Sequence, residues 1–573
     1  MKSDVEKLKK VLTGTFYAHN RMTFILALIS TILNSILFFG ISLIIREMAD
    51  TISGVEHSSS LGEIAVFILL FLGLVFGSYI MDYVSKPRFI FTAVKNYKNC
   101  VLHKLMEKNI LSFGNENTSV YISALSNDLE VIETGYLEGQ FQIISNVISF
   151  VGAFALMLFY SPLLTGIVVL LTIVPIIASV FTGNKLEPIE RHVSEENIKF
   201  SSVLKDVLNG FSVVKSFQAE REILRLLKGK NQELEQSKLS RRKVKILVGM
   251  IGMTASLFAQ FGVFFAGVWM VVKEYAMTAG TVILFVNLMN FIVSPIGEIW
   301  QLVASRRAAK GLIQKMAEAL VEHHDLGGKL ELEELKSAIS LEHVSFGYEE
   351  NTEVLHDITL RLEKGKSYAI VGSSGCGKST LLNLLLGGME DYRGSIFFDA
   401  YNIKEISKDS LYHLVSMIQQ NVFVFDATIR ENITMYKEFS DFKIQDVLQL
   451  AKLEALVQEK GQLYKCGENG CGLSGGEKQR ISIARSLLKH ASVLLVDEAT
   501  ASLDRKSAYE IVSDILEIKD VTRVVVTHSL EESLLKRYDQ IITMKDGRIV
   551  EHGKFEELME KREYFYALYT VAK

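Results

Sequence analysis

Two glycine-rich patches and one pair of carboxylates are the residues of this 573-residue chain whose types and spacing could do chemistry. The first patch, "YAIVGSSGCGKSTLL", sets Gly372, Ser373, Ser374, Gly375, Cys376, Gly377, Lys378, Ser379 and Thr380 between a short apolar run and a Leu-rich one. Gly372, Gly377, Lys378 and Ser379 fit G-x-x-x-x-G-K-[ST]: glycines let the backbone wrap an oligophosphate, the lysine neutralises its charge, and the hydroxyl reaches Mg²⁺. The carboxylates, Asp497 and Glu498, close the run "VLLVDE". At the carboxyl end of a buried parallel strand, one acid can hold Mg²⁺ and the next can polarise an attacking water. The second patch, "LSGGEKQR", carries Ser474, Gly475, Gly476 and Glu477 ahead of an amphipathic run. Open amides at a helix start attract anions, because the N–H groups and the helix dipole point the same way. This patch therefore reads as half of a phosphate site.

The elements that must position these groups divide the chain in two. Hydrophobic residues concentrate in the first 305 positions, while the remainder reads as a soluble mixture of strands and helices. Crossing a bilayer takes about 20 mostly apolar residues in a helix, since lipid offers the backbone no partners. Six stretches qualify, at about 22–45, 61–83, 140–160, 163–181, 246–272 and 281–303. Only Ser161 and Pro162 separate the third from the fourth, which forces a tight hairpin. The second-to-third and fourth-to-fifth gaps are long, charged and helical in pattern. Lys and Arg gather at the N-terminus (Lys7, Lys9, Lys10, Arg21) and in those two gaps (Lys86, Arg88, Lys95, Lys98 and Lys104, then "RRKVK" from Arg241 to Lys245), while the other loops are nearly bare of them. Such asymmetry marks the cytoplasmic side, so both termini are expected there. Domain boundaries follow at 1–310 for a transmembrane domain, 311–338 for a charged linker and 339–573 for a nucleotide-binding domain.

Composition excludes other classes. A net charge of −4, with basic residues in loops and not on one face, leaves no footprint for nucleic acid. Cys100, Cys376, Cys466 and Cys471 all fall in segments placed in the cytoplasm, so no disulfide framework is expected, and the Cys466/Cys471 spacing fits no usual zinc pattern. The first apolar run is too long for a signal peptide, so no cleavage is expected. Inside the sixth span Asn287, Asn290, Ser294, Glu298 and Gln301 recur at steps of three and four and share one helical face. Such a stripe either faces a substrate path or hydrogen-bonds a neighbouring helix, and the sequence leaves both open.

Taken as a set, these motifs resemble the ATP-binding cassette (ABC) transporter family. "LSGGE" resembles its signature segment, some 20 residues ahead of the acidic strand, and the six-span half resembles its exporter type. By the same matching, Tyr348 resembles the aromatic that stacks on adenine and Gln420 in "IQQNVFVF" the Q-loop glutamine. Asp504 in "ASLD" resembles the D-loop acid, and His528 after "RVVVT" the switch histidine. "CGENGCG", with Glu468, resembles an exporter-specific loop, and "LSNDLEVIE" and "GFSVVKSFQAE" resemble parts of the cytoplasmic extensions. Glu477 departs from the family's commoner Gln and adds negative charge near the nucleotide.

The resemblance implies a multidomain fold: an all-α six-helix transmembrane bundle followed by a P-loop α/β nucleotide-binding domain. It implies Glu498, His528 and Gln420 as catalytic, the 372–380 loop, Tyr348, Ser474–Glu477 and Asp504 as ATP-binding, and Ser379, Gln420 and Asp497 as Mg²⁺ ligands. The signature of one chain would close on ATP held by the P-loop of another, so the partner is a second half-transporter. A homodimer is the simplest reading, and a heterodimer of two competent chains stays open. Further expected partners are membrane lipid and a transported small or amphipathic substrate, exported by alternating access. Import by the same fold, or an ATP-gated channel or sensor, are the alternatives. Sparse prolines and short loops point to a bacterial plasma membrane.

Overall fold

The computed structural model describes residues 2–55, 60–108, 113, 118–273, 275, 277–321, 328–349, 352–389, 391–420, 422–498 and 505–572. These form two compact units, one lying within residues 1–323 and the other comprising chiefly the C-terminal part from 324 onward.

The first unit is helical throughout its described elements. Six long helices, Arg21–Ile52, Leu61–Met106, Gly139–Tyr160, Pro162–Asn209, Glu220–Val272 and Ala279–Val321, each contain one of the apolar stretches expected from sequence. Four carry a window long and apolar enough to cross a membrane, and the runs Pro162–Pro175 and Ala279–Pro295 supply shorter apolar segments in the other two. Their starts are written locally. Ser60 caps the second through a reciprocal box with Glu63, and Ser161 caps the fourth, whose first residue is Pro162; proline at that position loses no helical hydrogen bond. That single residue, Ser161, is the whole hairpin between the third and fourth helices.

Four of the helices run well past their apolar stretches. At about 1.5 Å per residue, the 53 residues of Glu220–Val272 extend far beyond the roughly 30 Å of a hydrocarbon core. One segment departs from α geometry: Glu133–Glu138 winds as a π-helix directly ahead of the third long helix. Within it a Cβ on Gly135 would lie 2.9 Å from the Ser305 carbonyl oxygen, so glycine there lets two backbones approach.

The second unit is built on a sheet of six strands in the order β10-β9-β3-β8-β7-β6. These are β3 (Ser367–Gly372), β6 (Val415–Ile418), β7 (Val493–Asp497), β8 (Thr522–Val526), β9 (Gln540–Lys545) and β10 (Arg548–Gly553). All neighbours are parallel except β9 and β10. A second, antiparallel sheet has the order β2-β1-β4-β5, from β1 (Ala338–Glu349), β2 (Thr352–Glu363), β4 (Arg393–Phe398) and β5 (Tyr401–Asn402).

Both faces of the large sheet are covered, which is why its strands read as unbroken apolar runs. Tyr368, Ile370, Val493, Leu495, Val524 and Val526 pack into one core. Their alternates Ala369, Val371, Leu494, Val496 and Val525 pack into the other. Leu495 is fully buried, so Leu495→Ala is expected to cost about 2–5 kcal/mol. Amide hydrogen exchange should then quicken along β7 and β8; unchanged exchange there would contradict this packing.

Candidate functional site

Parallel pairing delivers the chemistry-bearing residues to one edge. Ile370 pairs with Val526, Val526 with Asp497, and Val496 with Ile418. The carboxyl ends of β3, β8, β7 and β6 are therefore level, and the chain leaves them as the 373–377 loop, Thr527–His528, Glu498 and Gln419–Gln420 respectively.

The loop is shaped by glycine where nothing else fits. Gly377 has φ +98°, and a Cβ there would stand 2.7 Å from Leu355 Cδ2. It precedes the helix Lys378–Leu385, whose first N–H groups have no helical acceptor and open toward the loop. Lys378 is almost entirely buried, and its Nζ donates to the carbonyls of Gly372 (3.1 Å) and Ser373 (2.9 Å). Its ammonium thus rests on its own loop. Cys376 is buried as well, and burial raises its thiol pKa, so it stays protonated and acts as packing.

Ser379 Oγ donates to Asp497 Oδ1 at 2.9 Å. Burial, reinforced by the neighbouring Glu498 charge, raises the Asp497 pKa against the lowering effect of that hydrogen bond. Two oxygens of these types, side by side where burial disfavours an uncompensated charge, suit a hard divalent cation.

Glu498 is held from both sides. His528 Nε2 lies 2.7 Å from Oε1, Gln420 Nε2 donates to Oε2 at 3.4 Å, and the backbone N–H donates to the Val526 carbonyl at 3.2 Å. Its φ of +46° is a conformation that costs a non-glycine residue energy and collects at functional sites. A carboxylate so fixed at a phosphate loop can accept a proton from an attacking water.

Tyr348 is largely exposed; its hydroxyl lies 3.2 Å from Thr380 Oγ1, and Phe346 meets its ring edge-on. The second glycine patch folds back on itself. Ser474 caps the helix Gly475–Leu488 in a reciprocal box: Ser474 N–H donates to Glu477 Oε2 at 2.6 Å, and Glu477 N–H to Ser474 Oγ at 3.3 Å. Among the described residues no hydrogen bond joins Ser474–Glu477 to the 372–380 loop. Asp504 lies outside the described residues.

In the helical unit the polar stripe divides. Asn287 Nδ2 donates to the Ile283 carbonyl of its own helix. Asn290 accepts from Gln260 at 3.4 Å and Glu298 from Asn146 at 3.1 Å, both across helices. Ser294 is exposed. Glu298 and Gln301 also line a 330 Å³ cavity with Glu138 and Gln142.

Sequence reasoning missed the groups that brace this edge. Gln479 Nε2 donates to the Gln420 carbonyl at 3.3 Å. Arg485 clamps the following turn through the carbonyls of Phe423 and Asn432 and the Asn432 side chain. Their place on the helix after the glycine patch was the available signal, but it names no acceptor.

Comparisons with known proteins find similarity along both halves of the chain. Residues 24–296 match the model of the ABC transporter transmembrane region, and residues 355–501 that of the ABC transporter. The chain is 29% identical over 558 residues to the uncharacterized ABC transporter ATP-binding protein YwjA of Bacillus subtilis, covering 95% of this chain and 96% of that one. It is 27% identical to an ATP-dependent lipid A-core flippase of Yersinia pestis bv. Antiqua, covering 95% and 94% respectively. A solved bacterial Atm1-family ABC exporter with ATP bound superposes with a TM-score of 0.82 at 20% identity, over 97% of this chain and 99% of the other.

The raised Asp497 pKa carries a sign. A carboxyl whose folded pKa exceeds its unfolded value disfavours folding once pH rises above the unfolded value. Asp497→Asn is therefore expected to raise the melting temperature of the nucleotide-free protein at pH 7 by a few degrees, the shift that about 1 kcal/mol gives a domain of 150–250 residues. The gain should shrink toward pH 4. A gain that grew on acidification would contradict the burial assigned to Asp497.

Proposed function

Because this chain belongs to the ABC transporter family as an exporter-type half-transporter, an integral membrane ATPase coupled to transport, we propose that two copies clasp two ATP molecules between their nucleotide-binding units and thereby drive a small or amphipathic cargo outward by alternating access. The observation that carries this reading is Glu498, pinned between His528 and Gln420 beside the Lys378 loop. A homodimer is favoured because one chain holds both an intact phosphate loop and an intact Ser-Gly-Gly tip and so suffices to build two like sites.

In this mechanism Lys378 exchanges the Gly372 and Ser373 carbonyls for phosphate oxygens, and Tyr348 stacks on the adenine. Ser379, Asp497 and Gln420 would hold Mg²⁺, which supplies charge neutralisation on the phosphates. Glu498 takes a proton from the attacking water, and His528 keeps that carboxylate oriented. Ser474, Gly475 and Gly476 of the partner close over the terminal phosphate, and Asp504 takes the D-loop role. ATP favours the clasped state only by binding it more tightly than the open one; hydrolysis removes that difference and resets the pair.

The lysine and arginine distribution supports both termini and the nucleotide-binding unit in the cytoplasm, and sparse prolines and short loops support a bacterial plasma membrane. The domain boundaries proposed are those near 310 and 338. The flippase among the relatives supports lipid-like amphiphiles as cargo.

Glu498→Gln is expected to keep ATP binding and lower steady-state hydrolysis by about 10²–10⁴-fold, the usual worth of a general base. Parallel nucleotide-binding and phosphate-release assays read the two quantities separately, and turnover near the parent's would remove Glu498 from this role. A Ser379→Cys, Ser474→Cys variant is expected to crosslink between chains when ATP is present. Crosslinks that never join two chains would overturn the shared site.

A further inference from the structure

The helix Gly475–Leu488, which Ser474 caps, is laced along β6 and the residues that follow that strand. Lys489 Nζ, just past the far end of the helix, donates to the Val415 carbonyl at 2.8 Å. Ser416 Oγ donates to Ser486 Oγ at 2.8 Å, and Gln479 Nε2 donates to the Gln420 carbonyl at 3.3 Å. Helix and strand run antiparallel and stay in step. From Gln479 to Lys489 the helix rises about 15 Å, and the steps from Val415 to Gln420 cover about 16 Å at the strand rise. The Gln479 bond lies at the edge where Glu498 stands.

Gln479 is only 3% exposed, and its Oε1 is buried with no hydrogen-bond partner among the described residues. A buried acceptor left unpaired costs free energy, so packing alone favours an apolar side chain of this length, such as methionine. What glutamine adds here is the donor. Among the described residues Gln420 hydrogen-bonds only to Gln479, through its carbonyl, and to Glu498, through its amide. Three groups are thus in series. The Gln479 amide holds the Gln420 main chain, the Gln420 amide meets Glu498 Oε2 at 3.4 Å, and His528 holds the other oxygen of that carboxylate. Arg485 fixes the chain further on, at the Phe423 carbonyl (2.7 Å), and leaves the Gln420 position to Gln479.

We propose that Gln479 is a positioning residue for ATP hydrolysis: it fixes the Gln420 carbonyl, the Gln420 amide then fixes Glu498, and the helix that begins at Ser474 is thereby tied to the proton acceptor of its own chain. This rests on the general-base role proposed above for Glu498. Loss of the Gln479 donor frees the Gln420 main chain, and the Gln420 amide moves with it. Glu498 then keeps one of its two side-chain anchors, so fewer molecules hold the carboxylate aimed at the attacking water. The Lys378 loop is untouched. The step that slows is proton acceptance and not ATP capture.

Gln479→Met removes the donor and the unpaired acceptor together. In full-length protein reconstituted in phosphatidylcholine nanodiscs it is expected to melt at the parent's temperature and to hydrolyse ATP with kcat about 10- to 100-fold lower and KM for ATP little changed. Gln479→Asn keeps both amide groups but falls one methylene short of the carbonyl; it should show the same loss, and it decides alone if the Met variant does not fold. A double-mutant cycle with Gln420→Ala separates positioning from general packing. Once the Gln420 amide is gone, Gln479→Met should cost nothing more, whereas a packing defect would multiply the two losses. Parent-like kcat in a folded Gln479 variant, or losses that multiply in the double variant, overturns the proposal. Glu498→Gln, run alongside, keeps the two readings apart. If it abolishes turnover while the Gln479 variants do not slow it, the brace fails and the general base stands; if it turns over like the parent, the general-base assignment itself fails, whatever the Gln479 variants do.

Discussion

Everything at the nucleotide site depends on the register of four adjacent parallel strands. A strand end displaced by one residue would turn its side chain to the opposite face and move it about 3.3 Å, more than a hydrogen bond allows. Pairing of Ile370 with Val526 and of Val526 with Asp497 is what lets residues more than a hundred positions apart in sequence, Ser379 and Asp497, bond at 2.9 Å. The register is enforced from both sides, because alternate residues of each strand belong to different buried cores. A slip would exchange the two sets wholesale. Stability and chemistry are therefore one constraint.

Backbone strain falls at one of the chemistry-bearing strand ends. Glu498 adopts a left-handed backbone immediately after a buried strand, and the surrounding bonds to His528, Gln420 and the Val526 carbonyl hold it there. The neighbouring Asp497 is on ordinary strand geometry and bonds to Ser379 instead. Two adjacent acids thus face different partners because the chain turns between them.

Much of this was legible in the sequence, for identifiable reasons. The apolar stretches announce themselves because lipid permits few residue types, and all six fall within single helices. The phosphate loop is legible because glycine positions there answer a backbone requirement, as the φ of +98° at Gly377 shows. What was illegible depends on where a side chain turns. Lys378 resting on the Gly372 and Ser373 carbonyls, Gln479 reaching the Gln420 carbonyl, and Glu477 closing a cap all involve residues whose identity fits several partners. Nor does hydropathy give the true length of the long helices, because the turns beyond the apolar stretches are polar and carry no span signal. The π-helical turn at Glu133–Glu138 has no residue signature at all.

The closed cap at Ser474 has one more consequence. A naked start of serine and two glycines would be an open site for any small phosphate-bearing anion. With the Ser474 amide already satisfied by Glu477, that carboxylate sets its own negative charge beside the first amides of the helix and lowers what an anion gains there. The tip is thereby quiet by default, selective through its reluctance more than through its grip.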